Sequence, residues 1–545
     1  MTSEKGIPVY KSPDYPETYG ELIDWSIKRI KDPENKVLFR MSDSDIELTY
    51  SEFERNTNKI CNLLIEKGVQ KGDHIAVFLT NCVEYAYLYH ALGKCGVVIA
   101  PINPFVRGDA LEYILKHSES KYLVTSSELY TEKASRVIDL KNMKYIFFTD
   151  RKMETERVDS SLLSDFAKCP SDFEPKWKVT GDDIQGIWYT SGTTGVPKGA
   201  VINHKTYMYR VLWLVNYFRM TPEDVTYYIL PMFHVAYAVL GTPLSMAAAA
   251  EFVQVPWFSV GNFWKDIVRF GATMTFSTGT IIPIVLNQPV TEDEISGKDK
   301  LRVWLGWPVD NPEKIRERWP NIKFIEGYGT TETPVATIAD YENPGYGNAG
   351  PPAVYTDMKI IDPNTGEELP PNQVGEIVCS HKLGPDYIIL EYYKDPENTK
   401  KMIKNGYWYS GDLGMLDENG CLVFVDRLKD YLRIGGENVS SSVVEDIVRK
   451  HPSVLEVGIV GRKGELGHDE IVAHVVPKEG TSIDPREFFE FCNDRMAYFM
   501  VPKYLIIRSE LPKTGTLRIE KYKLRSEGVS SNAIDRSDLG IVLKR

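Results

Sequence analysis

Residues 51–100 read SEFERNTNKICNLLIEKGVQKGDHIAVFLTNCVEYAYLYHALGKCGVVIA, and this stretch decides the fold class. Apolar residues in 51–67 recur at helical spacing and predict one buried helical face. A Gly-Asp turn then leads into the apolar run 74–79, which predicts a short buried strand. Residues 85–92 predict a second helix and residues 96–100 a second strand. A strand, a helix and a strand at this spacing predict a βαβ unit and a parallel sheet.

The same rhythm of helix and strand recurs at 263–276 and 312–326, whereas the last quarter of the chain alternates longer strands with two helices. Between these regions, residues 426–436 (DRLKDYLRIGG) are charged and end in two glycines. This composition predicts a linker or an exposed turn, with an ordinary surface hairpin as the alternative. We therefore expect a domain boundary near Lys429, which gives domains of residues 1–428 and 429–545.

Bulk properties narrow the class of protein. The chain has 545 residues, a formal net charge of −12 and a pI of about 5.5. A nucleic-acid binder usually carries a basic surplus, so no nucleic-acid partner is expected. Seven scattered cysteines share no C-x-x-C spacing, which favours a reducing, cytoplasmic location. The first residues lack a signal-peptide h-region, and no apolar run is long enough to predict a membrane span.

The most specific motif is residues 189–199, YTSGTTGVPKG. Glycines allow backbone N–H groups to approach an anion closely, hydroxyl groups add donors, and Lys198 supplies a positive charge. This composition predicts a phosphate-binding loop, although it is not the G-x-x-x-x-G-K-[ST] pattern. A glycine- and threonine-rich turn without a ligand is the alternative.

Three further stretches carry residues of catalytic type. Residues 325–333 (IEGYGTTET) combine an aromatic ring that can lie on a base with a carboxylate that can hold Mg²⁺. Residues 409–414 (YSGDLG) offer an aspartate that can accept two hydrogen bonds from vicinal hydroxyls. Residues 231–237 (PMFHVAY) place His234 among apolar neighbours. Taken singly, each has an ordinary alternative: a packed tyrosine, a common Gly-Asp turn, and a hydrogen-bonded core histidine.

Together the four motifs resemble those of the adenylate-forming acyl-CoA synthetase superfamily, which holds AMP-forming acid–CoA ligases, luciferases and nonribosomal adenylation domains. They stand in the family's order, and the resemblance covers residues 49–525. Residues 491–502 (FCNDRMAYFMVP), followed by LPKT, resemble the branch of crotonobetaine/carnitine and other short- and medium-chain acid–CoA ligases. The resemblance implies an α/β fold, with a large multi-subdomain N-terminal domain of mixed and parallel sheets and a small, mobile α+β C-terminal domain.

The resemblance also implies the ligands and the residues that bind ATP. ATP, coenzyme A and Mg²⁺ would act with a small carboxylate, without a membrane span, and a homo-oligomer is compatible with the family. The β- and γ-phosphates would lie on Thr190, Ser191, Gly192, Thr193, Thr194, Gly195 and Lys198. Tyr328, between Gly327 and Gly329, would stack on adenine, Thr331 would contact the α-phosphate, and Glu332 would ligate Mg²⁺. The ribose hydroxyls would bind Asp412 and Arg427.

The resemblance further implies where the acyl group and coenzyme A bind. Lys429 falls at the hinge, and Gly435 and Gly436 would line the path of pantetheine. His234, Tyr237, Gly306 and Trp307 would line the acyl pocket, with His234 as its gate. The reaction would form an acyl-adenylate and pyrophosphate, after which the coenzyme A thiolate would displace AMP.

Two positions depart from the family's pattern. A Gly-Lys pair whose lysine contacts the substrate carboxylate and the α-phosphate is replaced here by Leu517 and Arg518. Arginine keeps the charge but is longer and planar, so catalysis would use Arg518 or, after a shift of register, Lys521. Residues 305–308 (LGWP) stand where relatives have Gly-Gly-Ala, so Trp307 would shorten the acyl pocket. This predicts a short or medium acid such as 4-hydroxybutyrate, crotonate or butyrate, unless Trp307 is a core residue.

Two other functions stay open at this point. The acyl group could pass to a carrier-protein thiol or be oxidised as luciferases do. No carrier-like module follows residue 525, which disfavours a fused assembly line. A non-catalytic nucleotide-binding relative is the third reading, through the change at Arg518. Because Glu332, Asp412, Lys198 and His234 are all present, we expect an active ligase of fatty-acid or related metabolism.

Overall fold

The structure is a computed structural model, and it describes residues 10, 14–138, 142–150, 158–190, 197–279, 281–306, 312–342, 344, 347–428, 431–434, 437–464, 469–513, 519–530 and 532–543. The chain forms two compact units. The larger unit comprises Met1–Met358, Cys379–Tyr409 and Asn419–Leu422, and the smaller comprises Lys359–Val378, Ser410–Glu418 and Val423–Arg545. The single boundary at Lys429 stays a prediction.

Two large sheets organise the larger unit. The first has eight strands in the spatial order Glu391–Tyr392, Lys198–Asn203, Ile184–Thr190, Val98–Pro101, His74–Phe78, Tyr122–Thr125, Tyr145–Phe148 and Asp159–Leu162. The second has seven, in the order Lys323–Ile325, Val303–Leu305, Met274–Phe276, Val225–Tyr228, Glu251–Gln254, Val37–Met41 and Glu47–Thr49. Most pairings are parallel, and the antiparallel ones lie at the sheet edges.

Helices cover these sheets, as parallel strands buried on both faces require. In the larger unit they are Tyr19–Arg29, Tyr50–Glu66, Val83–Cys95, Gly108–His117, Ser127–Glu132, His204–Tyr217, Val235–Leu240, Thr242–Ala248, Val260–Phe270, Ile281–Leu286, Glu292–Gly297, Pro312–Arg318 and Pro396–Met402. Short 3₁₀ turns lie at Ala134–Arg136, Leu163–Lys168 and Pro385–Tyr387. Among the described residues, none of the helices combines the length and the apolar character that a membrane crossing requires.

The predicted βαβ unit is confirmed, and local chemistry explains its ends. Thr49 begins the helix Tyr50–Glu66 with a capping box, in which its hydroxyl accepts from the Glu52 N–H and the Glu52 carboxylate accepts in return. Gly96 ends the helix Val83–Cys95 at a φ of 62°, a left-handed conformation that suits glycine. The strands His74–Phe78 and Val98–Pro101 then pair in parallel.

The core of the larger unit is rich in tyrosine. The fully buried rings include Tyr19, Tyr85, Tyr89, Tyr207 and Tyr237. Their rings meet mainly edge to face, as between Tyr89 and Tyr237 at 5.4 Å. The helix–strand pairs predicted at 263–276 and 312–326 are also confirmed, since the first ends in an inner strand of the seven-stranded sheet and the second in its edge strand.

The smaller unit is an α+β layer. Its four-stranded sheet has the order Val454–Lys463, Asp469–Pro477, Tyr504–Ile507 and Ile534–Asp535. Three helices, Ser441–Arg449, Pro485–Asn493 and Lys521–Glu527, and the 3₁₀ turns Tyr498–Met500 and Arg536–Leu539 accompany it. The α/β fold class predicted from the sequence is confirmed, with an α+β smaller unit; its mobility stays a prediction.

Further strands lie outside these three sheets. They are Gly327–Tyr328, Thr337–Ile338, Thr356–Ile361, Gly375–His381, Ile403–Lys404, Tyr407–Leu416 and Leu422–Arg427. The predicted linker at 426–436 needs correction, because Asp426 and Arg427 end a strand and Tyr431–Ile434 pairs antiparallel with Glu437–Ser440. The hairpin alternative is therefore the right one for the described part, since alternating apolar residues such as Leu432 and Val439 are buried there.

Candidate active site

The predicted phosphate loop lies between two paired strands. Ile184–Thr190 and Lys198–Asn203 run antiparallel, and Thr190 stands opposite Lys198 in the register. The Thr190 hydroxyl donates to the Lys198 carbonyl oxygen at 3.5 Å. The two ends of the motif are thus fixed by the eight-stranded sheet. The predicted phosphate-binding residues Ser191, Gly192, Thr193, Thr194 and Gly195 lie outside the described residues.

Lys198 points its ammonium group at an amide and an aromatic ring. Its Nζ donates to Asn398 Oδ1 at 2.8 Å and lies 5.4 Å from the centroid of the Tyr392 ring. Desolvation lowers the pKa of Lys198, and the nearby Asp395 carboxylate opposes that shift. A lysine whose charged form is less solvated than in water gains more from binding an anion such as a phosphate.

Glu332 contacts the hydroxyl group of Tyr392. Its side chain is buried, and the Tyr392 hydroxyl donates to Glu332 Oε1 at 2.8 Å. The Ile389 N–H donates to the Glu332 carbonyl oxygen at 3.0 Å. The predicted phosphate lysine and the predicted metal ligand, from two distant motifs, therefore both contact Tyr392, one at its ring and the other at its hydroxyl. Sequence reasoning missed Tyr392, because local spacing carries no signal of a partner so far along the chain.

The glycines around Tyr328 are required by the backbone. A Cβ on Gly329 would lie 2.5 Å from the Val335 nitrogen, and one on Gly327 would lie 2.8 Å from the Thr337 carbonyl oxygen. The Tyr328 N–H donates to Thr337 Oγ1 at 3.0 Å. The loop is therefore folded tightly back on itself. The ring of Tyr328 is buried and Thr331 is half-buried; their roles toward adenine and the α-phosphate stay predictions.

Arg210, which sequence reasoning also missed, forms hydrogen bonds with the backbone of this loop. It is almost completely buried on the helix His204–Tyr217, and its guanidinium donates to the carbonyl oxygens of Pro334 at 2.6 Å and Tyr387 at 2.9 Å. Burial lowers the pKa of Arg210. These bonds fix the segments that follow Glu332 and precede Ile389. The available signal was a single charge in the apolar run 208–215, MYRVLWLV.

His234 precedes the helix Val235–Leu240 as its N-cap residue. Its Nδ1 accepts from the Ala236 N–H at 3.2 Å, so the ring caps the helix. The side chain is exposed, yet desolvation by surrounding protein lowers its pKa to about 4, so the imidazole is neutral near pH 7. The core-histidine alternative is therefore not what the structure shows.

Asn81 fixes the segment before His234. Its Nδ2 donates to the carbonyl oxygens of Leu230 and Val255, and its Oδ1 accepts from the Met232 N–H at 2.8 Å. One side chain thus joins the turn after the strand His74–Phe78 to both segments. Asn81 was also missed by sequence reasoning.

The predicted acyl-pocket residues differ in accessibility. Tyr237 is fully buried and shares a hydrogen bond of 2.9 Å with Thr242 Oγ1, so its side chain belongs to the core. A Cβ on Gly306 would lie 2.6 Å from Ile282 Cδ1, so this glycine leaves room for a neighbouring side chain. Trp307 lies outside the described residues. Membership of the acyl pocket stays a prediction for all of them.

The smaller unit contains the predicted ribose-binding pair. Asp412 is buried, and Arg427 Nε lies 3.6 Å from Asp412 Oδ1. The two residues come from neighbouring strands, Tyr407–Leu416 and Leu422–Arg427, so their proximity follows from strand pairing. The hinge residue Lys429, the coenzyme A residues Gly435 and Gly436, and Arg518 lie outside the described residues.

Lys521, the alternative to Arg518, is engaged inside the smaller unit. Its Nζ lies 2.8 Å from Glu445 Oε1 and donates to Ser441 Oγ at 2.7 Å. Glu445 is buried and also accepts from the Ile459 N–H at 2.7 Å. These contacts give Lys521 a structural role and argue against its use as a replacement catalytic lysine.

Comparisons with known proteins identify the family. Residues 28–393 match the AMP-binding enzyme family, and residues 443–517 match the AMP-binding enzyme C-terminal domain. The chain is 30% identical over 485 residues to the crotonobetaine/carnitine–CoA ligase of Escherichia coli O157:H7, covering 88% of this chain and 93% of the relative. It is 29% identical to the enzyme of that name from Proteus mirabilis, covering 92% and 97%.

Among solved structures, ATP-bound MatB from Rhodopseudomonas palustris superposes with a TM-score of 0.82 at 26% identity, covering 93% of this chain and 98% of that one. The family match spans well over half of the chain and includes the strands, loop and helices that carry Lys198, His234 and Glu332. The protein therefore belongs to the AMP-binding enzyme family, within the adenylate-forming acyl-CoA synthetases, and is an acid–CoA ligase of that family.

Proposed function

We propose that the protein activates a short- or medium-chain carboxylic acid as its acyl-adenylate and transfers the acyl group to coenzyme A. The observation that supports this most strongly is the convergence of Lys198 and Glu332 on Tyr392. A cation for phosphate oxygens and a carboxylate for a divalent cation thereby contact the same side chain. Attack of a carboxylate on the α-phosphorus of MgATP needs both groups at one place.

The chemistry explains why ATP is needed. A free carboxylate is a poor acyl donor, because its oxygen departs badly when a thiol attacks. Attack on the α-phosphorus breaks the bond to pyrophosphate and forms the acyl-adenylate. The transition state gathers negative charge on phosphate oxygens, which Lys198 and loop N–H groups would stabilise. The coenzyme A thiolate then attacks the acyl carbonyl, and AMP leaves.

The residues around Glu332 fit a magnesium site. Mg²⁺ usually keeps several waters and binds one or two carboxylates together with substrate phosphates. The described residues contain no group of three or more His, Cys, Asp or Glu side chains that could form a closed protein cage. Glu332, with its Oε1 oriented by Tyr392, supplies the one carboxylate that such a shared site needs. When bound, the ion would neutralise charge on the phosphates.

The other proposed roles follow the motifs. Thr190, Thr331 and the residues 191–195 would contact phosphates, and Tyr328, between Gly327 and Gly329, would contact adenine. Asp412 and Arg427 would bind the ribose, while Gly435, Gly436 and the hinge at Lys429 would serve the coenzyme A step. Arg518 would contact the substrate carboxylate, because Lys521, the alternative that the sequence offers, is already paired with Glu445.

The substrate proposal is a short or medium acid. Trp307 and the neutral His234 would close the acyl pocket, and a poorly hydrated, uncharged imidazole suits an acyl chain better than a free ion. The relatives named above act on crotonobetaine and carnitine, by their names, so trimethylammonium acids of four carbons stand beside 4-hydroxybutyrate, crotonate and butyrate. The cytoplasmic location, a homo-oligomer and the absence of a nucleic-acid partner stay predictions.

The decisive experiment is pyrophosphate release by the purified protein with MgATP and a panel of C2 to C12 acids. The panel includes hydroxy acids and trimethylammonium acids, each with and without coenzyme A. We expect release to peak with one short or medium acid and to turn over repeatedly only with coenzyme A. Glu332→Gln is the control, and it should abolish release with every acid.

Two outcomes would contradict the proposal. Turnover with a carrier-protein thiol but not with coenzyme A would identify a carrier-loading enzyme. Tight ATP binding without pyrophosphate release from any acid would identify a non-catalytic relative, and Arg518→Lys would then show whether the arginine is the cause.

A further inference from the structure

Tyr392 contacts both Lys198 and Glu332. We propose that Tyr392 is a positioning residue for adenylation, whose hydroxyl orients the Glu332 carboxylate for the divalent cation of MgATP and whose ring places Lys198 beside it. The inference rests on the proposed function, from which it takes the role of Glu332. It assigns a role to a residue that none of the four motifs contains.

The direction of the hydrogen bonds at Tyr392 is fixed by its neighbours. Trp408 Nε1 donates to the Tyr392 oxygen at 3.4 Å, and an indole N–H can only donate. The phenol proton is therefore left for Glu332 Oε1, at 2.8 Å. A phenol keeps its proton near pH 7, so the hydroxyl remains a donor.

The backbone around Tyr392 is anchored on both sides. Its N–H donates to Thr399 Oγ1 at 2.9 Å, and Tyr392 pairs with Ala200 in the strand that begins at Lys198. The ring and Lys198 therefore belong to adjacent strands of one sheet. The pairing of these two strands therefore fixes the positions of both Cα atoms relative to each other.

The turn after Tyr392 completes the arrangement. Asp395 begins the helix Pro396–Met402, with its side chain accepting from the Asn398 N–H at 3.0 Å and from Asn398 Nδ2 at 2.6 Å. These bonds orient the Asn398 amide so that its Oδ1 faces Lys198 Nζ. One short segment thus places an aromatic ring and an amide oxygen around the lysine and a hydroxyl against the carboxylate.

Loss of the hydroxyl has a specific expected consequence. Glu332 Oε1 accepts the Tyr392 hydroxyl proton, and Tyr392→Phe removes this one orienting bond from the carboxylate. Groups that orient a metal ligand typically contribute about 10- to 100-fold to metal affinity. Loss of the hydroxyl alone should therefore weaken the contribution of the cation to ATP binding and leave binding of metal-free ATP unchanged.

The test compares Tyr392→Phe with Tyr393→Phe by titration calorimetry, using ATP with Mg²⁺ and ATP with a chelator. Tyr393 is the matched control, because its hydroxyl donates to Glu119 at 2.7 Å and does not meet Glu332. The quantity measured is the ratio of the two ATP affinities. We expect Tyr392→Phe to reduce this ratio by about tenfold, and Tyr393→Phe to leave it unchanged.

A double variant separates positioning from packing. If Tyr392 acts through Glu332, then Tyr392→Phe should cause no further loss of the ratio in a Glu332→Gln protein. A ratio unchanged in Tyr392→Phe overturns the inference, and so does an equal loss of affinity with and without Mg²⁺. A wild-type protein whose ATP affinity ignores Mg²⁺ overturns it as well.

Failure of the inference and failure of the proposed function remain distinguishable. Calorimetry needs no acid, so a reduced ratio in Tyr392→Phe together with no pyrophosphate release from the wild-type protein would retain the inference and reject the ligase. The reverse combination would retain the ligase. If Tyr392→Phe does not fold, Trp408→Phe removes the donor to Tyr392 and should lower the same ratio by a smaller factor.

Discussion

Two lysines that the sequence nominates for catalysis have opposite surroundings. Lys198, in the larger unit, faces an amide oxygen and the ring of Tyr392, and no carboxylate of the described chain lies within ion-pair distance of it. Lys521, in the smaller unit, is paired with the buried Glu445 and bonded to Ser441. A lysine without an anionic partner can bind a phosphate, whereas one in a buried ion pair stabilises its own unit. The surroundings, and not the residue type, separate binding from structure.

The same contrast extends to other buried titratable groups. The larger unit buries three histidines, His90, His204 and His381, whose pKa values desolvation lowers to about 3, 4 and 2. The smaller unit buries His451 and His474, whose pKa values desolvation lowers, that of His474 to about 4, and Glu445, whose pKa burial raises. The larger unit therefore buries three such bases, whereas the smaller unit buries two together with an acid whose pKa shifts in the opposite direction.

Lowering the pH should produce the largest difference in stability between the two units. Below the unfolded histidine pKa of about 6.5, the unfolded chain takes up protons that the folded histidines refuse, so stability present above pH 6.5 is lost as the pH falls. At pH 5 this amounts to about 2 kcal/mol for each of the three histidines of the larger unit. The contribution of His474 to stability is also lost as the pH falls. Glu445 acts in the opposite direction, because its pKa is raised and its protonation therefore adds to the stability of the smaller unit as the pH falls.

Hydrogen exchange resolved by segment, at pH 7 and pH 5, measures this difference after correction for intrinsic exchange rates. Protection should fall further in the larger unit than in the smaller. Equal losses in both units would show that the buried histidines do not control acid stability. Measurements between pH 7 and pH 8 provide the control, since these histidines are neutral in the folded protein and mostly neutral in the unfolded chain there.

The next largest effect is expected at the lysine of the smaller unit. Lys521→Met leaves the Glu445 carboxylate buried without its cation, and breaking such a pair costs about 3–5 kcal/mol. Denaturant unfolding measures the loss. Lys523→Met is the matched control on the same helix, because Lys523 pairs with Glu520 in a largely exposed position and should cost at most about 1 kcal/mol.

A second variant tests whether the ion pair itself is the cause. Glu445→Gln combined with Lys521→Met should recover much of the lost stability, because no unpaired charge is then buried. If Lys521→Met instead retained wild-type stability and abolished pyrophosphate release, Lys521 would be the catalytic lysine and the contrast between the units would be wrong.

The lysine of the larger unit should behave in the opposite way. Lys198→Met removes a charge aimed at phosphate oxygens, and loss of such a group typically costs about 10²- to 10³-fold in turnover. Because Lys198 has no carboxylate partner to leave unpaired among the described residues, the free energy of unfolding should change by less than about 1 kcal/mol. Steady-state pyrophosphate release and denaturant unfolding measure the two quantities.

Lys394→Met serves as the control for Lys198, since Lys394 pairs with Glu119 in an exposed position near the same strands. It should retain turnover. A large loss of stability in Lys198→Met, with turnover reduced only in proportion, would place Lys198 in the same structural class as Lys521.

Much of the fold was predictable because it depends on local patterns. Apolar spacing in 51–67 reports the buried face of one helix, and the structure begins that helix at Tyr50 after the Thr49 cap. The runs at 74–79 and 96–100 are strands because both faces of a parallel sheet are buried. The order of strands in each sheet was not predictable, since pairing between distant segments leaves no period in the sequence.

The site was predictable only where a motif carries it. Lys198, His234 and Glu332 stand in recognisable stretches, but Tyr392 and Arg210 act through contacts with residues far away in the chain. The local signals at 391–399 predict a helix start at Asp395-Pro396 and reveal nothing of Glu332. Likewise, the charge of Lys521 gave no indication of Glu445, because a buried ion pair depends on the packing of a helix against the strand Val454–Lys463.

The smallest expected effect concerns which acids the larger unit accepts. Trp307→Gly should open the acyl pocket and raise the kcat/KM for C8 acids relative to C4 acids by about tenfold, since single methylene contacts contribute about 1–3 kcal/mol to selectivity. Gly306→Ala should act in the opposite direction, because its new Cβ would meet Ile282 Cδ1 at 2.6 Å and push that side chain. Competition between C4 and C8 acids in one pyrophosphate assay measures both ratios.

The opposite signs of these two changes make the experiment decisive for the pocket. If Trp307 is a core residue away from the substrate, Trp307→Gly should cost about 3–5 kcal/mol of stability and leave the C8 to C4 ratio unchanged. If Trp307 lines the pocket, most of its ring contacts the substrate and not the protein core, so Trp307→Gly should reduce stability much less. Trp307 would then resemble Lys198, because both side chains would find their partner in the bound ligand. Lys521 differs, because its partner Glu445 is part of the folded protein.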